Sequence, residues 1–113
     1  MMNKEKYVQR INELIKLDAN FDSDNSSSSA VAREVYSGTL NLLATLYGTQ
    51  SPQVKSVQEA NERIMKYQSY EGMKNEYLVQ EMRGTLKNLK IEVEQGLIDS
   101  FILEAKGEIL ADF

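Results

Sequence analysis

Arg83, Lys87 and Lys90 are the residues whose types and spacing come nearest to a binding chemistry. They recur at i, i+4 and i+7, so a helix would carry all three on one face. Three cations in line could hold phosphate, a nucleic-acid backbone or an acidic partner. The competing reading is a solvated helix face opposite Leu86, Leu89 and Val93, its field diluted by Glu76 and Glu94. We favour the second reading. The carboxylates Glu92, Glu94, Asp99, Glu104 and Glu108 could serve hard metal ions or acid–base chemistry. Glu92 and Glu94 fall on different sides of a helix, however, and no spacing draws the five to one point. The run Asp22-Ser23-Asp24-Asn25-Ser26 opens like a calcium loop. Its sixth position would be Ser27 where glycine is needed, and its twelfth Arg33 where a bidentate glutamate is needed. Turn and helix cap is the better reading there.

The chain has no cysteine and no histidine. That removes disulfides, thiol catalysis, zinc–thiolate sites and every serine–histidine or cysteine–histidine pair. An enzyme would have to work with Glu, Asp, Lys or Tyr alone, and a non-enzyme without cofactor or metal is expected. Six tyrosines, at positions 7, 36, 47, 67, 70 and 77, are many for 113 residues. Tyrosine favours the core edge, with its hydroxyl hydrogen-bonded or wet, and it is also enriched at interfaces.

These side chains need helices to position them. A chain of 113 residues supports one domain and one core. Six glycines and one proline are few for an all-β chain with many turns. The net charge of −4 argues against non-specific nucleic-acid binding. Up to Ser56 basic and acidic residues balance at six each, so the acidic excess lies in the second half. No apolar run approaches the roughly 20 residues that span a bilayer, and no signal segment opens the chain. A soluble cytoplasmic protein is the default.

Apolar periodicity predicts an all-α bundle of four or five mostly antiparallel helices. Tyr7, Val8, Ile11, Leu14 and Ile15 mark a first helix over 3–18. The stretch NFDSDNSSSS, 20–29, is a flexible loop by composition. A second helix over 28–47 has an apolar face wide enough for a central position, and Gly38 inside it could let a neighbour come close. Then comes the strongest local signal in the chain. Gly48 follows Leu46-Tyr47 where a helix needs a residue tolerant of positive φ, and Ser51-Pro52 offers a cap and a first helical residue. A third helix over 52–68 carries Val54, Val57, Ala60, Ile64 and Tyr67. A fourth over 73–94 carries Leu78, Met82, Leu86, Leu89 and Val93, with Gly96 after it.

A fifth helix is expected from Leu97, apolar around much of its circumference. Phe101, Ile102, Ile109, Leu110 and Phe113 would make an interface there, with a second copy or with a C-terminal domain of a longer chain. The apolar ending Ile109-Leu110-Ala111-Asp112-Phe113 suggests such a longer chain.

The run Leu42-Leu43-Ala44-Thr45-Leu46-Tyr47-Gly48-Thr49-Gln50-Ser51-Pro52-Gln53-Val54 resembles an LL-x-x-[IL]-[FY]-G-x-x-S-x-x-V pattern. Gly84-Thr85-Leu86-Lys87-Asn88-Leu89, with Glu92, Glu94, Gly96 and Leu97, is similar to its second half. In both runs the chain resembles the N-terminal helical regions of uncharacterised bacterial proteins that carry a second, HEPN-like helical domain. The resemblance spans roughly residues 28 to 113. It implies a helical module ahead of another domain and carries over no catalytic residue, since the HEPN nuclease pair needs a histidine.

Overall fold

The computed structural model describes residues 4–23, 27–68 and 70–96. They form four helices, α1 (Lys4–Ala19), α2 (Ser28–Tyr47), α3 (Pro52–Tyr67) and α4 (Glu71–Glu94), packed as an all-α bundle. There is no strand among the described residues. The fifth helix expected from Leu97 lies outside them.

The polar ties at the two ends of α2 and α4 give the helix directions. Asn75 near the start of α4 donates from Nδ2 to Ser29 Oγ near the start of α2, at 2.9 Å. Tyr47 at the end of α2 donates to Glu92 near the end of α4. These two helices therefore run parallel, across the diagonal of the bundle. α1 and α3 run antiparallel to both and lie on opposite sides, each touching α2 and α4 and not each other. α2 is central, as its wide apolar face predicts. α4 is equally so, because Asn75 and Val79 widen its buried stripe beyond the Leu78–Met82–Leu86–Leu89–Val93 line.

The core draws on all four helices: Tyr7, Ile11 and Leu14, then Val35 and Leu42, then Val54 and Val57, then Met82, Leu86 and Val93. Each large apolar side chain removed from water there contributes roughly 1.5–3 kcal/mol. Gly38 lets α1 approach closely. A Cβ at that position would lie 2.7 Å from Leu14 Cδ2, inside contact distance. Thr39, fully buried beside it, donates its hydroxyl to the Val35 carbonyl at 2.7 Å, so its polar atom needs no other partner.

The α2–α3 reversal has the predicted chemistry with one refinement. Gly48 sits at φ 101°, ψ 151°, beyond the ordinary left-handed helical region and in a zone that only glycine occupies freely. Its N–H donates to the Ala44 carbonyl at 2.9 Å. Ser51 Oγ accepts from the Val54 N–H at 3.2 Å, and Pro52 takes the first helical position. Ser51→Ala is expected to cost about 1 kcal/mol. Gly48→Val is expected to cost more, up to about 3 kcal/mol. Urea midpoints for both variants check this; values equal to wild type would overturn the role of the turn.

Candidate functional site

The three candidate cations do not stand free as a row. Arg83 Nε donates to Asp18 Oδ1 at 2.7 Å, joining α4 to the end of α1. Asp18 is 0% exposed, while the Arg83 side chain is 44% exposed. Lys87, exposed one turn further on, adds its charge to the same carboxylate. Lys90 lies 3.9 Å from Glu94 on its own helix. Burial pushes the Asp18 carboxyl above its ordinary value, although Arg83 and Lys87 pull it down. Its second oxygen, Oδ2, has no hydrogen-bond partner. Arg83 thus pairs with a buried acid and ties α4 to α1, and Lys87 adds only its field.

Asp18 is absent from the residues whose types and spacing suggest chemistry, yet the sequence carries a signal for it. Positions 7, 11, 14 and 18 continue one helical stripe, and Asp18 occupies the register of a core residue. A carboxylate in the last turn of a helix is also disfavoured by the helix dipole, so it needs a cation from elsewhere. Asn75 in α4 follows the same logic, as a polar residue in an apolar register that is satisfied by another helix.

Of the five candidate carboxylates, Glu92 turns toward Tyr47 and Glu94 toward Lys90. Asp99, Glu104 and Glu108 lie outside the described residues, as do the interface candidates Phe101, Ile102, Ile109, Leu110 and Phe113. So does part of the serine-rich loop, 24–26. Among the described residues no group of three or more acidic side chains converges as a metal site, and no helix is long and apolar enough to cross a membrane.

The tyrosines divide into two sets. Tyr7 is fully buried, and Tyr36 and Tyr47 are half-buried at the core edge. Burial, the hydrogen bond to Glu92 and the Glu92 charge together hold the Tyr47 phenol far above its ordinary value. Tyr47 therefore stays protonated and donates to Glu92 throughout the physiological range. Tyr67, Tyr70 and Tyr77 are exposed, the first two at 69% and 73%. Met65 and Met73 are exposed beside them in the chain. Tyr70, Met73 and Tyr77 share one face by their i, i+3, i+7 spacing.

Tyr67 and Tyr77 line a cleft of about 510 Å³ between the end of α3 and the start of α4, with Ile64, Gln68 and Gln80. Arg63 and Glu81 face each other there at 3.6 Å and neutralise one another. Lys66 Nζ lies 5.5 Å from the centre of the Tyr67 ring. Such a surface can bury aromatic area against another protein while its amides and hydroxyls keep hydrogen bonds. A second cleft of about 370 Å³ lies toward the opposite end of α4. Leu43, Val57 and Leu89 supply its apolar lining, and Tyr47, Gln53, Ser56, Asn88 and Glu92 its polar groups. No family model matches the chain, and neither a curated protein nor a solved structure does.

Proposed function

We propose that the protein is a non-enzymatic, cytoplasmic helical interaction module that pairs with a second copy of itself through the aromatic tip of the α3–α4 hairpin. The exposure of Tyr67 and Tyr70, with Met65, Met73 and Tyr77 on the same hairpin, carries this reading. Large apolar side chains gathered on one exposed segment mark an interaction surface more than a solvated one. The hairpin also balances its charges. Arg63, Lys66 and Lys74 match Glu71, Glu76 and Glu81 within a chain of net charge −4. A patch with equal numbers of both signs complements itself, which suits an isologous dimer. The ion pairs Asp18–Arg83, Arg63–Glu81 and Lys90–Glu94 support a structural use of charge over a phosphate-binding one.

Sedimentation equilibrium tests the proposal. Wild type is expected to dimerise in the micromolar range. The double variant Tyr67→Ser, Tyr70→Ser is expected to raise the dissociation constant about tenfold or more with an unchanged circular dichroism spectrum, because both side chains are exposed. A monomer at every concentration would overturn the proposal. So would a dimer that Ile102→Asp dissociates and the tyrosine variant does not, which would move the interface to residues 97–113.

A further inference from the structure

We propose that the cleft between the ends of α2 and α4 and the first turns of α3 binds an organic cation on an apolar stem, with Glu92 as its counter-ion. The inference is independent of the aromatic tip. Glu92 is half-buried, accepts a hydrogen bond from Tyr47, and has no Lys or Arg partner among the described residues. A carboxylate withdrawn from water and held in place by a neutral donor is under-compensated, and a cation is the group that completes it. The neighbouring backbone has the same sign. α2 and α4 both bring their carbonyl ends to this end of the bundle, and neither has a basic residue in its last turn. α3 brings its amino end to the cleft, where Ser51 already caps it, and the amino end of α1 lies at the same end of the bundle but on the opposite side of α2 and α4.

The lining specifies the rest of the ligand. Leu43, Val57 and Leu89 offer an apolar wall to a short alkyl stem, while Gln53, Ser56 and Asn88 can accept the remaining N–H groups. The Tyr47 ring beside Glu92 suits an ammonium or guanidinium head. The volume, about 370 Å³, fits a stem of a few carbons with its charged head. Such a group can be a free small amine or the Lys or Arg side chain of another protein.

NMR titration of the amide spectrum, with n-butylammonium and n-butylguanidinium as free probes and blocked Ala-Lys-Ala and Ala-Arg-Ala as peptide probes, tests the site. Saturable shifts at Tyr47, Gln53, Asn88 and Glu92 are expected for at least one free cation, and 1-butanol is expected to bind about tenfold more weakly or worse. Glu92→Gln is expected to lower cation affinity about tenfold or more. Gln53→Lys, at an exposed position away from the Tyr47 tie, is expected to weaken binding by placing a competing cation at the mouth. Tighter binding of a peptide than of the free cation assigns the site to a protein side chain. Equal or weaker peptide binding assigns it to a free amine. The proposal is overturned if no probe gives saturable shifts, if 1-butanol binds as well as the cations, or if both variants leave affinity unchanged.

Discussion

Arg83→Ala is expected to destabilise the bundle by about 2–3 kcal/mol at pH 7 and to lose most of that penalty as pH falls and Asp18 takes up its proton. Removing one member of a buried ion pair costs about 3–5 kcal/mol, because the other charge is left uncompensated. Here Asp18 is wholly buried but Arg83 is 44% exposed, so part of the attraction is screened and the expected cost falls to the bottom of that range or just below it. The unpartnered Oδ2 of Asp18 leaves no second donor to take over. The pH dependence follows from the raised Asp18 carboxyl. A carboxyl whose folded value lies above its unfolded value of about 3.9 binds a proton more tightly in the folded chain. Its contribution to stability is full below the unfolded value and is lost as pH rises through the folded one. Without Arg83 the folded value climbs further and the loss at pH 7 deepens. As pH falls through the folded values Asp18 takes up its proton in both proteins, so the two stabilities approach each other. Urea denaturation at several pH values measures this. A penalty that stays constant with pH would show that Arg83 acts through packing alone. Replacing both partners, as Asp18→Leu with Arg83→Met, is expected to recover most of the stability, since neither charge is then stranded.

Leu86→Ala is expected to cost about 3 kcal/mol, within the usual range of about 2–5 kcal/mol for a leucine truncated in a packed core. Leu86 is 0% exposed and belongs to the core cluster on α4, the helix that touches the other three. A helix held from three sides cannot move to fill the space without disturbing another contact, so the cavity persists. Ile91, five residues further along the same helix, is 49% exposed. Ile91→Ala is expected to change stability by no more than about 0.5 kcal/mol. The comparison uses urea midpoints at constant slope. Equal effects at the two positions would contradict the orientation of α4.

Much of this fold was legible in the sequence, and particular residues show why. The end of α2 and the start of α3 coincide with those read from the sequence, because Gly48 and the Ser51-Pro52 cap punctuate the chain at single positions. The start of α4 lies at Glu71, earlier than the expected residue 73. Its cap, Tyr70, makes no side-chain hydrogen bond and so left no chemical mark in the sequence. The close approach at Gly38 was anticipated from a glycine inside a helix, but its partner, Leu14, could only come from the packing.

The candidate sites were less legible. Arg83, Lys87 and Lys90 do share a helix face, but the acid that Arg83 meets is 65 residues away from it in the chain, on α1. Spacing along one helix cannot reveal a charge supplied by another. The division of the tyrosines into core-edge and exposed sets likewise depends on which way each helix turns. The register of Tyr67 with Val54, Val57, Ala60 and Ile64 predicts an inward side chain, yet Tyr67 is exposed at the last residue of α3, where no further turn covers it.

The most direct test of the proposed pairing is an isotope-filtered NMR measurement on a sample mixed from labelled and unlabelled protein. Cross-copy contacts are expected between the rings of Tyr67 and Tyr70 in one molecule and the methyl groups of Met65 and Met73 in the other. Absence of any intermolecular contact at concentrations where sedimentation shows a dimer, or contacts confined to residues 97–113, would contradict it.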